Sequence, residues 1–127
     1  MDVTPLVKKG QQIIQSYAGG TFKISGRNYS GPVIVYPDFT MDWDLDLGIN
    51  LETLNISSFH DLLTRKDDID VVLLGCGGQM KFMPKPLKSA FKEQGLHVEI
   101  MDTGAACRTY NVLMAEGRRV AAVLLPV

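Results

Sequence analysis

The chain has 127 residues, of which 46% are hydrophobic and 21% are charged, and its net charge at pH 7 is −1. This composition excludes a disordered or low-complexity chain and predicts a single globular domain over residues 1–127. The near-neutral charge gives no electrostatic reason to expect nucleic acid or an acidic membrane surface as a partner.

Cysteine and histidine are too few and too widely spaced to predict a metal or disulfide site. Cys76 and Cys107 form no Cys-x-x-Cys pair, and His60 and His97 lack metal-ligand spacing. We therefore expect reduced thiols, no metal centre and no cofactor. The chain also lacks an apolar run of the about 18 residues that span a membrane, and it lacks a signal-peptide core. These features predict a cytoplasmic protein without membrane insertion.

The first half of the chain predicts antiparallel β structure. Residues 1–19 are mixed and carry no predicted element. Residues 21–24 and 29–36 predict two strands of a β-hairpin, joined by a turn at 25–28. Residues 42–51 alternate apolar side chains with aspartates, which is typical of a half-buried strand or extended segment. Ser57 or Ser58 then offers an N-cap for a short helix.

The second half predicts alternating strands and helices. The apolar run 70–75 is typical of a central parallel strand that is buried on both faces. A helix follows from Pro84 or Pro86 to the stop at Gly95, and residues 96–100 predict the next strand.

A second helix is predicted from Asp102 or Thr103 to about residue 116, where Gly117 ends it, and residues 120–125 predict the last strand. The β-α-β-α-β order of this half predicts parallel crossovers and a helix-covered sheet.

Two groups of residues identify a resemblance to a known family. The carboxyl-terminal group consists of the runs 99–111 and 116–122. The amino-terminal group consists of separated positions in a fixed order, namely Tyr17, Gly20, Phe22, Ile24, Gly26, Tyr29, Gly31, Trp43 and the turn 75–77. Over residues 13–127 the chain resembles a widespread family of uncharacterised small proteins that includes the mitochondrial NADH dehydrogenase (complex I) assembly factor 3. Without a mitochondrial targeting peptide, it looks like a bacterial member.

The resemblance implies a fold and a kind of function. The implied fold class is α/β, a three-layer domain with a central mixed, mostly parallel sheet of about five strands, helices on it and an extra N-terminal β layer, which the sequence predicts as a hairpin. The mitochondrial members act in respiratory complex assembly through protein–protein contacts. By analogy, the resemblance implies a protein partner for this chain.

A candidate binding cleft lies where two predicted parallel strands end. The turn 75–78 follows one strand and Asp102 follows the next, and carboxyl ends of parallel strands share one edge of a sheet. Cys107 is close enough to the helix start for the dipole to favour a thiolate, and Arg108 and Asn111 share a helix face. The candidate residues are Gly75, Cys76, Gly77, Gly78, Asp102, Cys107, Arg108 and Asn111. The alternative is structural: the same side chains cap the helix and tie down a neighbouring loop.

Three other patterns are weaker. The glycines at 75–78 lack the third glycine of the dinucleotide fingerprint, because position 80 is Met80, and no Lys-Ser/Thr pair follows. The aspartates at 42–46 resemble the start of a calcium loop, but Leu47 and Thr53 occupy the positions that need glycine and glutamate. The loop 81–86 is either a helix lead-in or an exposed protein-contact patch.

The leading prediction is a non-enzymatic accessory protein that binds a protein partner through the edge with Asp102, Arg108 and Asn111; the resemblance implies that it assists assembly of a respiratory or other membrane complex. The main alternative is an enzyme or small-molecule-binding protein that uses the same cleft with Cys107 as its reactive thiol. No catalytic residues are predicted, because a thiol nucleophile needs an oriented base and neither histidine is placed to serve. A third alternative is self-association through an exposed strand of the hairpin.

Overall fold

A computed structural model describes residues 10–45 and 50–127. The described chain folds into a three-stranded antiparallel sheet of order β1-β2-β3 and a five-stranded mixed sheet of order β5-β4-β8-β6-β7. The strands are β1 (Ile14–Ala18), β2 (Thr21–Ile24), β3 (Arg27–Ser30), β4 (Val33–Val35), β5 (Thr40–Asp42), β6 (Val71–Gly75), β7 (Val98–Met101) and β8 (Val120–Leu124). The α-helices are α1 (His60–Thr64), α2 (Lys85–Glu93) and α3 (Thr103–Ala115).

The five-stranded sheet has the predicted parallel half. Strand β6 pairs in parallel with both β7 and β8, and β8 pairs antiparallel with β4. The crossover helices α2 and α3 connect β6 to β7 and β7 to β8. The predicted α/β class, with a mixed central sheet of about five strands and an extra β layer, is therefore confirmed.

The two faces of the central sheet bury different partners. Val72 and Leu74 of β6 pack with Phe91 of α2 in one hydrophobic cluster. Leu73 points to the opposite face, where it packs with Tyr110 of α3 in the second cluster, which also includes side chains of β1 and β2. We call these sides the α2 face and the α3 face. None of the helices among the described residues is long and apolar enough to cross a membrane.

The N-terminal β layer differs from the predicted hairpin in two respects. Strand β1 adds a third strand antiparallel to β2. The predicted strand 29–36 is two strands in different sheets, β3 and β4. The break falls at Gly31, whose φ of +85° is left-handed, and at Pro32, which has no N–H for a ladder. The Gly31 N–H instead donates to the Gly20 carbonyl at 2.8 Å.

Two local predictions need correction. The short helix is capped by Asn55, whose side chain accepts from the Ser57 N–H, whereas Ser58 reciprocates as the third residue of a capping box. That box starts a 3-10 turn, Ile56–Phe59, that leads into α1. The predicted strand 96–100 begins two residues later, at Val98.

The alternating segment 42–51 lies partly outside the described residues. Within the described part, Trp43 and Leu51 are buried, whereas Asp42 and Asp44 are exposed. The aspartates therefore face water, which agrees with the half-buried pattern.

Candidate functional site

Thr103 holds the carboxyl ends of β6, β7 and β8 together. Its hydroxyl donates to the Leu125 carbonyl at 2.7 Å and accepts from the Gly77 N–H at 2.9 Å. Its own N–H donates to the Gly77 carbonyl at 2.9 Å. The side chain is fully buried, so these bonds satisfy its hydroxyl and hold the two predicted turns directly against each other. Thr103 was recognised in the sequence only as an alternative helix cap.

Gly75 is required by this close approach. A Cβ atom at Gly75 would lie 3.0 Å from the Thr103 Cα and 3.0 Å from the Leu124 Cδ2. Backbone cannot move aside as a side-chain tip can, so glycine is what lets β6 pass the start of α3. At Gly78 the nearest heavy atom to an added Cβ is the Val127 Cγ1, at 3.9 Å, so that glycine is not sterically required.

The start of α3 uses Asp102 as predicted. The Asp102 carboxylate accepts a hydrogen bond from the Ala105 N–H at 2.9 Å, which satisfies one of the otherwise unpaired amides of the first turn. The side chain is half-buried. One of its carboxylate oxygens is therefore already engaged within the protein.

Both thiols are buried in the described structure. Cys107 is 2% exposed, and desolvation raises the pKa of its thiol to about 12, against the opposing charge of Arg108. Its thiol is therefore protonated at neutral pH, whereas nucleophilic cysteines need the thiolate. Cys76 is 5% exposed and its Sγ lies 3.2 Å from the Gln79 carbonyl, which it contacts as a donor. This environment gives no support to a reactive thiol at Cys107.

Arg108 is exposed and bound to the N-terminal β layer. Its Nη1 donates to the Tyr17 hydroxyl at 2.8 Å. The Tyr17 ring lies on α3 at Gly104, where a Cβ would come within 2.6 Å of the Tyr17 Oη. Gly104 therefore permits the Tyr17 ring of β1 to lie against the helix, and within the part of the chain that the structure describes Arg108 makes one side-chain hydrogen bond out of its five possible donors.

Asn111 joins α3 to β1. Its Oδ1 accepts from the Ile14 N–H at 2.9 Å, and its Nδ2 donates to the Ile14 carbonyl at 2.8 Å. The Asn111 amide thereby bonds to both backbone groups of Ile14, as a neighbouring strand would. The Tyr110 hydroxyl adds a bond to the Gln12 carbonyl at 2.8 Å. Asn111 therefore lies on β1, which is the structural alternative considered for this residue.

The loop between β6 and α2 carries large exposed apolar side chains. Phe82 is 94% exposed and Met80 is 57% exposed. Lys81 between them lies 3.8 Å from the Glu52 carboxylate. Single exposed apolar residues are common on proteins, but an almost fully exposed phenylalanine with an exposed methionine two residues away is typical of a contact surface. The sequence indicated this loop as a contact patch only as the second of two alternatives.

A cavity of about 370 Å³ lies near the other end of the sheet, beside the first residues of β8. Arg119 and Arg65 line it, but each already has a carboxylate: Arg119 binds Asp70 through two nitrogens, and the Arg65 Nε lies 3.3 Å from the Asp61 Oδ2. The Tyr36 hydroxyl also donates to Asp61, and burial together with this bond raises the pKa of Tyr36. Arg119 and Arg65 therefore each lie beside a carboxylate of the protein.

The fold and the edge together define a small α/β domain with a second antiparallel sheet, a tightly bonded strand edge and buried thiols. The model of the family described as "Protein of unknown function (DUF498/DUF598)" matches residues 14–125. The chain belongs to this family, which confirms the resemblance predicted from the sequence.

The relatives include both uncharacterised and named proteins. An uncharacterised protein of Rhodobacter capsulatus is 33% identical over 116 residues, which cover 89% of this chain and 83% of the relative. The NADH dehydrogenase (ubiquinone) 1 alpha subcomplex assembly factor 3 of Danio rerio is 32% identical over 114 residues, which cover 90% of this chain. The match spans 64% of that assembly factor.

A solved structure shares the fold. The crystal structure of a Bartonella henselae protein, described as an outer membrane protein, superposes with a TM-score of 0.81 at 31% identity. The match covers 93% of this chain and 97% of the Bartonella chain.

Proposed function

We propose that this chain is a non-enzymatic, cytoplasmic accessory protein that binds a protein partner and assists the assembly of a respiratory or other membrane complex. The observation that carries the proposal is the 32% identity, over 90% of the chain, to an assembly factor of NADH dehydrogenase. The burial and high thiol pKa of Cys107 favour this function over thiol catalysis.

The proposed partner surface is the carboxyl edge of the parallel strands. Its proposed members are exposed Gly78 and Arg108, half-buried Asp102, and the exposed apolar side chains of Met80 and Phe82 in the loop that follows β6. Aromatic residues, methionine and arginine are enriched in protein interfaces and carry much of the binding energy there. Full burial of a phenylalanine side chain contributes roughly 1.5–3 kcal/mol of free energy, so Phe82 is the side chain of this surface that we expect to contribute most to binding.

The remaining candidate residues support this surface from below. Gly75, Cys76 and Gly77 shape the turn, Cys107 packs in the cluster of the α3 face, and Asn111 fixes the N-terminal layer against α3. Their proposed role is to position the exposed members rather than to touch the partner.

The proposal is tested by affinity capture from the native host with tagged wild-type protein, Phe82→Ser and Arg108→Ala. Lys23→Ala is the control, because Lys23 is an exposed residue of β2 in the N-terminal sheet and is not a member of the proposed surface. We expect subunits or assembly intermediates of a membrane complex with the wild type and the control, and at least about tenfold lower yield with Phe82→Ser. Equal recovery by all four proteins would exclude this surface, and capture of no such subunit by the wild type would contradict the function.

A further inference from the structure

Among the residues that the structure describes, strand β7 lies at the outer edge of the five-stranded sheet and pairs with β6 alone. The His97 carbonyl accepts a hydrogen bond from the Val72 N–H of β6 at 2.8 Å. The Met101 carbonyl accepts one from the N–H of Cys76, the residue after β6, at 2.9 Å. In a parallel ladder, alternate residues bond to the same neighbour. The N–H and C=O groups of the intervening Val98 and Ile100 therefore point away from the sheet, where another strand can bind them.

A groove follows β7 on the α3 face. Helix α3 packs mainly on β6 and β8 and covers the outer strand only in part. The groove has a volume of about 410 Å³ and an apolar floor that includes Leu73, Met101 and Leu113. Among the charged residues that line it, the His97 Nε2 lies 3.0 Å from the Glu99 carboxylate and Asp70 binds Arg119, whereas Arg118 is exposed and makes no ion pair within residues 10–45 and 50–127. The apolar floor of this groove fits apolar side chains.

A second groove follows β7 on the α2 face. Its volume is about 230 Å³, and Met83 and Phe91 contribute apolar walls. Lys88 and Lys92 border it, both exposed and one helical turn apart. Neither lysine has an ion pair within residues 10–45 and 50–127. Like charges at this spacing repel, so a carboxylate placed between them would be favoured.

We infer that the outer edge of β7 binds an acidic, extended segment of a partner protein as a sixth strand of the sheet. Backbone bonds to Val98 and Ile100 would hold the segment, with its carboxylates toward Lys88 and Lys92 and its alternate apolar side chains in the groove on the α3 face. This is recognition by strand addition, in which the main chain supplies affinity and pockets for alternate side chains supply specificity. The inference rests on the proposed partner-binding function and states the chemistry of the partner.

A second copy of this chain fits the edge less well. A two-fold antiparallel pair of β7 strands would bring the lysines of both copies to the same side of the joined sheet. The β7 side chains on that side are Val98 and Ile100, which pack in the cluster of the α2 face and carry no carboxylate. The edge therefore favours an acidic partner segment over self-association.

The probe is a fluorescein-labelled eight-residue peptide of alternating glutamate and valine, titrated into the full-length chain and followed by anisotropy. The matched control peptide replaces every glutamate by lysine. We expect the glutamate peptide to bind at least about tenfold more tightly, and its affinity to fall as salt is raised. In amide NMR spectra, binding should shift the signals of Val98 and Ile100. Equal affinity for both peptides, or shifts confined to another surface, would overturn the inference.

Two variants test separately how the lysine charges and the outward backbone N–H of β7 contribute to peptide binding. Lys88→Glu with Lys92→Glu should weaken binding at least about tenfold, whereas Lys23→Glu with Arg27→Glu, which makes the same charge change at exposed cations of the N-terminal sheet, should not. Val98→Pro removes an outward N–H that the sheet does not use, so it should abolish binding while circular dichroism stays unchanged. If Val98→Pro instead dissolves a dimer of the free protein, the edge is a self-association surface and the inference fails.

Failure here and failure of the proposed function give different results. Capture of a Phe82-dependent partner, together with no peptide binding at β7, would remove only this inference. Peptide binding at β7 without any captured membrane-complex subunit would remove the assembly function and leave a peptide-binding edge.

Discussion

At the scale of single residues, the carboxyl edge depends on steric fit around Thr103. The hydroxyl of this one side chain bonds to Gly77 and Leu125, and Gly75 leaves the space that the start of α3 occupies. The backbone of Thr103 is held by its own bond to Gly77, so the small shift that an added methyl group at Gly75 requires would disturb that bond. The contact between β6 and α3 is therefore sensitive to one added carbon.

Gly75→Ala should lower the free energy of unfolding by about 1–3 kcal/mol, because its Cβ would sit 3.0 Å from the Thr103 Cα. Gly78→Ala is the matched control in the same turn, with its nearest contact at 3.9 Å, and should stay within about 0.5 kcal/mol of wild type. Urea unfolding of the two variants measures the difference. Equal effects would mean that the turn relaxes and that Gly75 is not held against α3.

At the scale of elements, the N-terminal sheet is attached to α3 through Asn111. Its amide satisfies both backbone groups of Ile14, at the start of β1. A buried or half-buried polar group that loses its partner costs more than an average hydrogen bond contributes.

Asn111→Ala should therefore destabilise the protein by about 1–3 kcal/mol. Amide hydrogen exchange should rise first in β1 and the β2 strand paired with it, and less in β6 and β8. Val112→Ala, at the next and exposed position of the same helix, should change neither quantity appreciably. A uniform rise in exchange across both sheets would show that the layer does not open separately from the core.

Elements with strong local signals were predictable from the sequence. The limits of α3 follow from the Asp102 cap and the Gly117 stop, and β6 follows from its continuous apolar run. Strand β1 was missed because only Ile14 among its five residues is buried, so it lacks a core pattern of its own. It is held by β2 and by Asn111, partners distant in sequence, which local patterns cannot reveal.

The candidate site was predictable in position but not in the state of its side chains. The strand ends and the cap were recognisable, but the burial of Cys107 and the bond from Arg108 to Tyr17 depend on how distant elements pack. The same limit applies to Phe82, whose exposure depends on the path of a loop.

At the scale of the whole molecule, the burial of thiol and tyrosine hydroxyl groups lowers the free energy of unfolding at alkaline pH. The pKa of Cys107 is raised to about 12 in the folded chain from a usual value of 9.0, so the unfolded chain loses this proton first as pH rises. The contribution of the protonated Cys107 thiol to the free energy of unfolding is therefore fully present below about pH 9 and is lost as pH rises toward 12. Burial also raises the pKa of Tyr36 and Tyr110, which adds to the loss at higher pH.

Between pH 8 and pH 10.5 the wild type should lose on the order of 1–2 kcal/mol more stability than Cys107→Ala, because that variant has no thiol to titrate at this position. Urea unfolding at both pH values gives the comparison. The tyrosines are present in both proteins, so their effects cancel in the difference. Parallel losses in the two proteins would show that the Cys107 thiol titrates normally and is not buried as described.

The most direct test of the assembly function is deletion of the gene in its native host, followed by native-gel quantification of assembled NADH dehydrogenase and other membrane complexes. Complementation uses wild type, Cys107→Ser and Phe82→Ser. If the protein is an assembly factor that acts through its exposed edge, deletion should reduce the amount of assembled complex. Wild type and Cys107→Ser should restore that amount, whereas stably folded Phe82→Ser should not. Normal complex levels in the deletion strain, or rescue that requires Cys107, would contradict the account.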